Sequence, residues 1–235
     1  MSVDSQIVNC LPEVVTMVHR DVMVGCLGAG VAGYLTYRTV KHLYIRQRVA
    51  RLRSENQEAL IRQTERIQGL VQQSGHTEAE LRAVSSLPWD ELISQLQSGQ
   101  LTATKALLAF QAASLEVTAK TNCIVTWLED AQEAALHLDS LAPEQRRPLH
   151  GVPVSVKECY GVRNTAATAG MAKFARNIAS EDSPLVRMIR SLGGVPYCKT
   201  NVPQVMYSLQ CSNPLYGVTE NPHSVPGNTL IGQYS

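Results

Sequence analysis

The sequence predicts an α/β fold, a mainly parallel mixed sheet flanked by helices. Two short apolar runs that start at turn formers, Val152–Val156 and Val195–Cys198, read as strands. Between them Asp182-Ser183-Pro184 opens a helix with an N-cap and a proline at its first position, and Gly193-Gly194 closes it. Strand, helix and strand in that order make parallel neighbours whose C-terminal ends share one edge.

In chain order, residues 1–20 are mixed: Ile7, Val8, Leu11 and Val14-Val15 are interrupted by Pro12, Glu13 and Arg20. A poorly ordered or short helical lead is expected. Val22–Tyr37 is free of charge for sixteen residues, against about twenty for a full membrane span. Gly25, Ala29 and Gly33 recur every fourth position, the small-residue face of close-packed membrane helices. Tyr34 and Tyr37 stand beside a basic run (Arg38, Lys41, Arg46, Arg48, Arg51, Arg53) that holds no acid. Three readings stay open: a single N-terminal membrane anchor with the body on the cytosolic side, a cleaved signal peptide ending near Gly30-Val31-Ala32, and a buried Gly-rich helix.

Arg38 to Gln73 reads as a long polar helix with a thin apolar stripe of Val49, Leu52, Leu60, Ile67, Leu70 and Val71. It is either a solvated spacer or a basic juxtamembrane segment drawn to anionic headgroups. Ser74-Gly75-His76-Thr77 ends it. Leu87–Gly99 is a helix opened by Pro88 and closed by Gly99, and Thr102 caps the next, whose apolar face is Ala106, Leu107, Phe110, Ala113, Leu115 and Val117. Cys123–Trp127 reads as a short strand. Leu128–Leu141 reads as an Ala-rich helix with Glu129, Asp130 and Glu133 matched to its dipole. In the later helix, Leu185, Met188, Ile189 and Leu192 form the expected buried face.

The stretch Leu149-His150-Gly151-Val152-Pro153-Val154-Ser155-Val156-Lys157-Glu158-Cys159 is a turn, a strand and a lysine at the strand's C-terminal end. Ligands of α/β folds gather at such ends. Alternation places Ser155, Lys157 and Cys159 on one face and Val154, Val156 and Glu158 on the other. A strand-end lysine is ordinarily a solvated residue.

Composition sets outer bounds. A net charge of +1 gives no case for nucleic-acid binding. The six cysteines, Cys10, Cys26, Cys123, Cys159, Cys198 and Cys211, show no CxxC and no metal-ligand spacing, so reduced thiols are expected, with no disulfide frame or zinc site.

Leu149–Glu158 resembles the lysine segment of the amidase signature family of serine hydrolases. Lys199-Thr200-Asn201-Val202-Pro203-Gln204 and Cys211-Ser212-Asn213-Pro214-Leu215-Tyr216-Gly217 are similar to strings of its vertebrate-type fatty acid amide hydrolase branch. Thr168-Ala169-Gly170 resembles a family turn near the active site. The resemblance implies the N-terminal part of the amidase signature fold behind an N-terminal membrane helix. It implies residues 1–38 as lead and transmembrane anchor, 39–80 as a basic helical spacer, 81–222 as amidase domain, and 223–235 as a tail outside the family pattern, expected from truncation.

For function the resemblance implies hydrolysis of fatty acid amides to a fatty acid and an amine through a Ser-Ser-Lys triad, with Lys157 in the lysine position. Met206 and Tyr207 match positions lining the acyl channel; read alone, each is equally a core residue. The Gly/Ser-rich motif that holds the family's nucleophile, bridging serine and oxyanion glycines does not occur in the sequence. The chain as written is therefore expected to be inactive, and a self-contained Ser155–Lys157 dyad is disfavoured. No cofactor is implied. A fatty acid amide substrate, an endomembrane such as the endoplasmic reticulum, and a homodimer are. Two alternatives remain: a catalytically dead, truncated, membrane-attached interaction protein, and an amidase of a different substrate class.

Overall fold

The structure, a computed structural model, describes residues 4–223, with side chains from residue 29 onward. The expected tail beyond residue 223 lies outside the described residues. The chain divides into two compact units at Arg48/Val49. One helix, α1 (Asp4–Gln73), passes through that division.

In the first unit, Val31, Tyr34, Leu35, Tyr37, Val40, Leu43, Tyr44 and Ile45 are exposed. Arg38 lies over the Tyr34 ring at 5.9 Å and Lys41 over the Tyr37 ring at 5.7 Å, so aromatic and basic residues form one continuous surface. Among the described residues no helix is long and apolar enough to cross a membrane. The expected transmembrane anchor therefore has no support among the described residues. Sixteen residues rise only about 24 Å, short of a hydrocarbon core of about 30 Å. Residues 22–28 of that run lie outside those whose side chains are described.

In the second unit, the later part of α1 is no solvated spacer. Leu52 and Ile67 are buried, and Leu60, Leu70 and Val71 pack against the main core. Gln63 Oε1 accepts from the Trp127 amide at 3.0 Å, and Thr64 Oγ1 accepts from the Trp127 indole Nε1 at 3.1 Å. Trp127 is 2% exposed, and burying an aromatic of that size contributes about 3 kcal/mol.

A short helix the sequence reading passed over, α2 (Glu78–Ser85), starts at a capping box. Thr77 accepts from the Glu80 amide, and Glu80 accepts from the Thr77 amide. Next come α3 (Trp89–Ser98), which ends on Gly99 at φ +78°, and α4 (Ala103–Thr121), capped by Thr102. Asp139 adds a second cap from outside. Its carboxylate accepts from the Ala103 amide at 2.6 Å and the Thr104 amide at 3.0 Å. The buried residues of α4 include Ala103, Ala106, Leu107, Leu108, Ala109 and Gln111, with Phe110 partly covered. Val117 is exposed, so the apolar face does not extend that far.

The sheet has three strands, β1 (Ile124–Trp127), β2 (Pro153–Lys157) and β3 (Val195–Thr200), in the order β1-β3-β2. β2 and β3 are parallel, as the strand-helix-strand order requires, and β1 joins β3 antiparallel. The sheet is thus mixed around one parallel pair. Between β1 and β2 lies α5 (Ala131–Asp139), and α6 (Pro184–Ser191) makes the crossover. The expected face of α6 is corrected. Val186 is fully buried with Ile189 partly covered, whereas Leu185 and Met188 are exposed. Arg190 fixes this rotation, reaching Asp130 at 2.8 Å and Asp182 at 2.9 Å. Ser183 precedes α6 without a side-chain cap bond. A two-stranded ladder, β4 (Ser212–Asn213) with β5 (Gly217–Val218), completes the unit.

Candidate active site

Lys157 is the last residue of β2 and pairs with Thr200, the last of β3. The register therefore brings Lys157, Thr200 and Asn201 to one sheet edge. Ser155 and Lys157 are exposed while Val156 and Glu158 are buried, the alternation read from the sequence. No hydrogen bond joins Ser155 to Lys157 among the described residues, and residues two apart on a strand are separated by roughly 7 Å.

Beyond β3 the chain is held by side-chain amides. Asn201 Oδ1 accepts from Asn213 Nδ2 at 2.7 Å, and Asn201 Nδ2 donates to Thr219 Oγ1 at 3.0 Å. Asn213 Oδ1 accepts from the Leu215 and Tyr216 amides at 2.9 and 2.8 Å. Asn122, in the left-handed conformation after α4, donates to the carbonyls of Tyr216 and Val218. All of Asn201, Asn213 and Thr219 are buried. Buried amides need partners, and here those partners fasten Ser212–Thr219 across the end of the sheet.

Between these anchors runs Gln204–Met206, a 3-10 turn with positive φ at Val205 (59°) and Met206 (55°). The left-handed region is unfavourable for a β-branched residue. The turn is held from outside, because the Val205 amide donates to Ala169 O at 2.8 Å. Gly170 lies so close that a Cβ there would meet Asn213 Cβ at 2.9 Å and Gln204 Cα at 3.1 Å. Met206 and Tyr207 are exposed, Tyr207 at 93%, so neither is a core residue. A cleft of about 520 Å³ is lined by Gln204, Val205, Tyr207, Ser208 and Ser212. Tyr207 lines it and Met206 does not. A larger hollow of about 720 Å³ lies between the later part of α1, the end of α4 and Leu215-Tyr216. It includes neither Lys157 nor Tyr207, and size alone does not make it the reactive site.

Two residues that the sequence reading gave no role lie behind this edge. Lys199 is fully buried and donates to Ala166 O at 2.5 Å and, at 3.4 Å, to Thr165 Oγ1. Burial lowers its pKa to about 8, with Glu158 and Cys159 pulling it back up. Glu158 is also fully buried. Its Oε1 accepts from the Thr168 amide at 2.8 Å and from Tyr216 OH at 3.4 Å, while Oε2 has no hydrogen-bond partner among the described residues. The signal was in the alternation, since a carboxylate on the face of Val154 and Val156 demands a partner.

The family model for amidases matches residues 105–226. The chain belongs to the amidase family. Among its relatives, the fatty-acid amide hydrolase 1 of Sus scrofa is 34% identical over 206 residues, covering 86% of this chain and 34% of that protein. The fatty acid amide hydrolase 1 of Caenorhabditis elegans is 38% identical over 143 residues, covering 60% of this chain and 25% of that protein. This amidase chain thus spans about a quarter to a third of those relatives' length. Its fold is similar to a solved fatty acid amide hydrolase, with a TM-score of 0.62 at 23% identity over 75% of this chain and 34% of that one. The α/β amidase fold is thereby shown.

Proposed function

We propose that this amidase chain supplies the lysine arm of a serine amidase of the fatty acid amide hydrolase type, and that Lys157 is its base. One observation carries the reading. In a chain of this family, Lys157 and Thr200 close the parallel pair β2–β3 at one edge. The names of the two relatives support the substrate class, a fatty acid amide split into a fatty acid and an amine.

In that reaction a serine hydroxyl adds to the amide carbonyl as a second serine and the lysine take up its proton. The proton returns to the leaving amine, and water then releases the acid from the acyl-enzyme. The sequence contains no match to the serine-bearing motif, so the chain alone is proposed to be inactive. A lysine serves as a base once burial or neighbouring donors favour its neutral form. The Thr168–Gly170 loop and the Gln204–Tyr207 turn form one wall of the acyl site. The exposed aromatic and basic surface of residues 31–48 supports attachment to an internal membrane with the body on the cytosolic side. Homodimerisation belongs to the same reading.

The test begins with the mass of the native product, recovered by antibodies to residues 89–110. A species well above 25.7 kDa is assayed with a long-chain fatty acid amide and labelled with a fluorophosphonate. Hydrolysis and labelling, both lost in Lys157→Ala, are expected. Labelling that survives Lys157→Ala, or turnover of short amides only, would sink the reading. Labelling of the 235-residue chain itself would overturn its proposed inactivity.

A further inference from the structure

We propose that Lys199 and Glu158 are a buried positioning pair, holding from the far side of the sheet the turn that forms the acyl wall beside Lys157. The proposal rests on the reading of Lys157, Met206 and Tyr207 as parts of one amidase site.

Three geometric facts lead to it. First, Val156 pairs with Lys199 and Lys157 with Thr200. Successive residues of a strand point to opposite faces, so Lys199 and Glu158 occupy the face away from Lys157, and neither can touch a substrate held at Lys157. Second, both are fully buried and each hydrogen-bonds the same loop. Lys199 Nζ donates to Ala166 O and Glu158 Oε1 accepts from the Thr168 amide. These bonds fall two residues apart in a segment closed on itself by the bridge Ala166–Ile178. Third, the next residue carries the hold forward. Ala169, at φ 49°, accepts from the Val205 amide at 2.8 Å, and Val205 and Met206 are themselves left-handed. A turn that its own residues disfavour keeps its shape only while an outside scaffold imposes it. The chain of contacts runs from Lys199 and Glu158 through Ala166–Ala169 to Val205.

A structural filler would stabilise the domain evenly, whereas a positioning pair acts on the acyl wall in particular. Hydrogen exchange on the 235-residue chain separates these without needing activity. In Lys199→Met, and more mildly in Glu158→Gln, amides of residues 163–171 and 203–209 are expected to exchange at least about tenfold faster. Those of α4 and β1 should stay within about twofold. Even acceleration everywhere, or no change at 203–209, overturns the proposal. Glu158→Leu removes the acceptor for the Thr168 amide, is expected to give the same local acceleration, and serves if Lys199→Met fails to fold.

The second readout uses the hydrolytic native product. Glu158→Gln should raise KM for a long-chain amide several-fold with kcat nearly unchanged, and leave KM for a short-chain amide alone. A fall in kcat with KM unchanged for both substrates would mark simple loss of folded enzyme and refute the pair's role. Absence of hydrolysis in the wild type would defeat the functional reading, while the exchange experiment still decides whether the pair holds the turn.

Discussion

Lys157 and Lys199 stand one ladder step apart on neighbouring strands and have opposite circumstances. Lys157 ends β2 in the open, at the edge where the family's chemistry is proposed. Lys199 lies inside, fully buried, with a backbone carbonyl and a threonine hydroxyl for company. Under the proposed function, the same side chain serves a substrate at one place and the protein's own loop at the other. The difference comes from strand alternation alone. A register slip of one residue in β2 would turn Lys157 to the buried face that Lys199 already occupies, and the parallel ladder from Pro153/Val195 to Lys157/Thr200 prevents it.

The largest test of this contrast is catalytic. In the hydrolytic native product, Lys157→Ala should lower turnover by about 10²–10⁴-fold, the range for loss of a general base. A loss under tenfold in steady-state assays would remove Lys157 from the reaction.

The next is a pH effect on stability that belongs to Lys199 alone. Its pKa falls from the ordinary 10.5 to about 8 in the folded protein, so below pH 8 both states hold the proton and the burial penalty is complete. Between pH 8 and 10.5 the unfolded chain binds more protons than the folded one, and this group's contribution to stability rises with pH. The gain is at most about 3 kcal/mol, at 1.36 kcal/mol per pH unit. Tyr197, Tyr216 and Cys198, all pushed up by burial, act in the opposite direction as pH rises. The quantity to follow by urea unfolding is therefore the difference between wild type and Lys199→Met. If the stability of wild type minus that of Lys199→Met stays flat or falls from pH 8 to 10, the lysine is not buried as a charge.

Smaller effects sharpen the picture of what supports each face. Trp127→Phe removes the indole bond to Thr64 and should cost about 1 kcal/mol. If it costs nothing, the later part of α1 is not docked as described. At the bottom of the scale, Lys157→Ala should change unfolding free energy by less than about 0.5 kcal/mol, as for an exposed residue without special contacts. A larger change would mean that Lys157 also has a structural role.

Much of this was legible in the sequence. Thr102 and Gly99 announced the helix ends they make, and strand–helix–strand order placed Lys157 beside Thr200. Non-local relations were not legible. Nothing near Asp139 says that it caps α4 from thirty-odd residues away. The antiparallel partnership of β1 with β3 depends on a tertiary choice that no local pattern fixes. The face of α6 was misread because Leu185 and Met188 outrank Val186 in size, while the ion pairs of Arg190 set the helix rotation. Lys199 was overlooked because a lysine in a short strand reads as solvated until the loop that receives it is known. The charge-free run before Arg38 keeps the three readings its sequence allowed, since part of it lies outside the residues whose side chains are described.

The left-handed valine at 205 also has a consequence in time. Left-handed backbone away from glycine costs on the order of 1–3 kcal/mol, and the hydrogen bond that the Val205 amide donates to Ala169 O, which offsets it, does not exist until β2, β3 and the intervening loop have formed. The turn is thus expected to form late in folding, on a finished sheet. Changes such as Val205→Gly should alter the unfolding rate and leave the refolding rate almost untouched. A refolding limb that moves as much as the unfolding limb would place the turn in the folding nucleus instead.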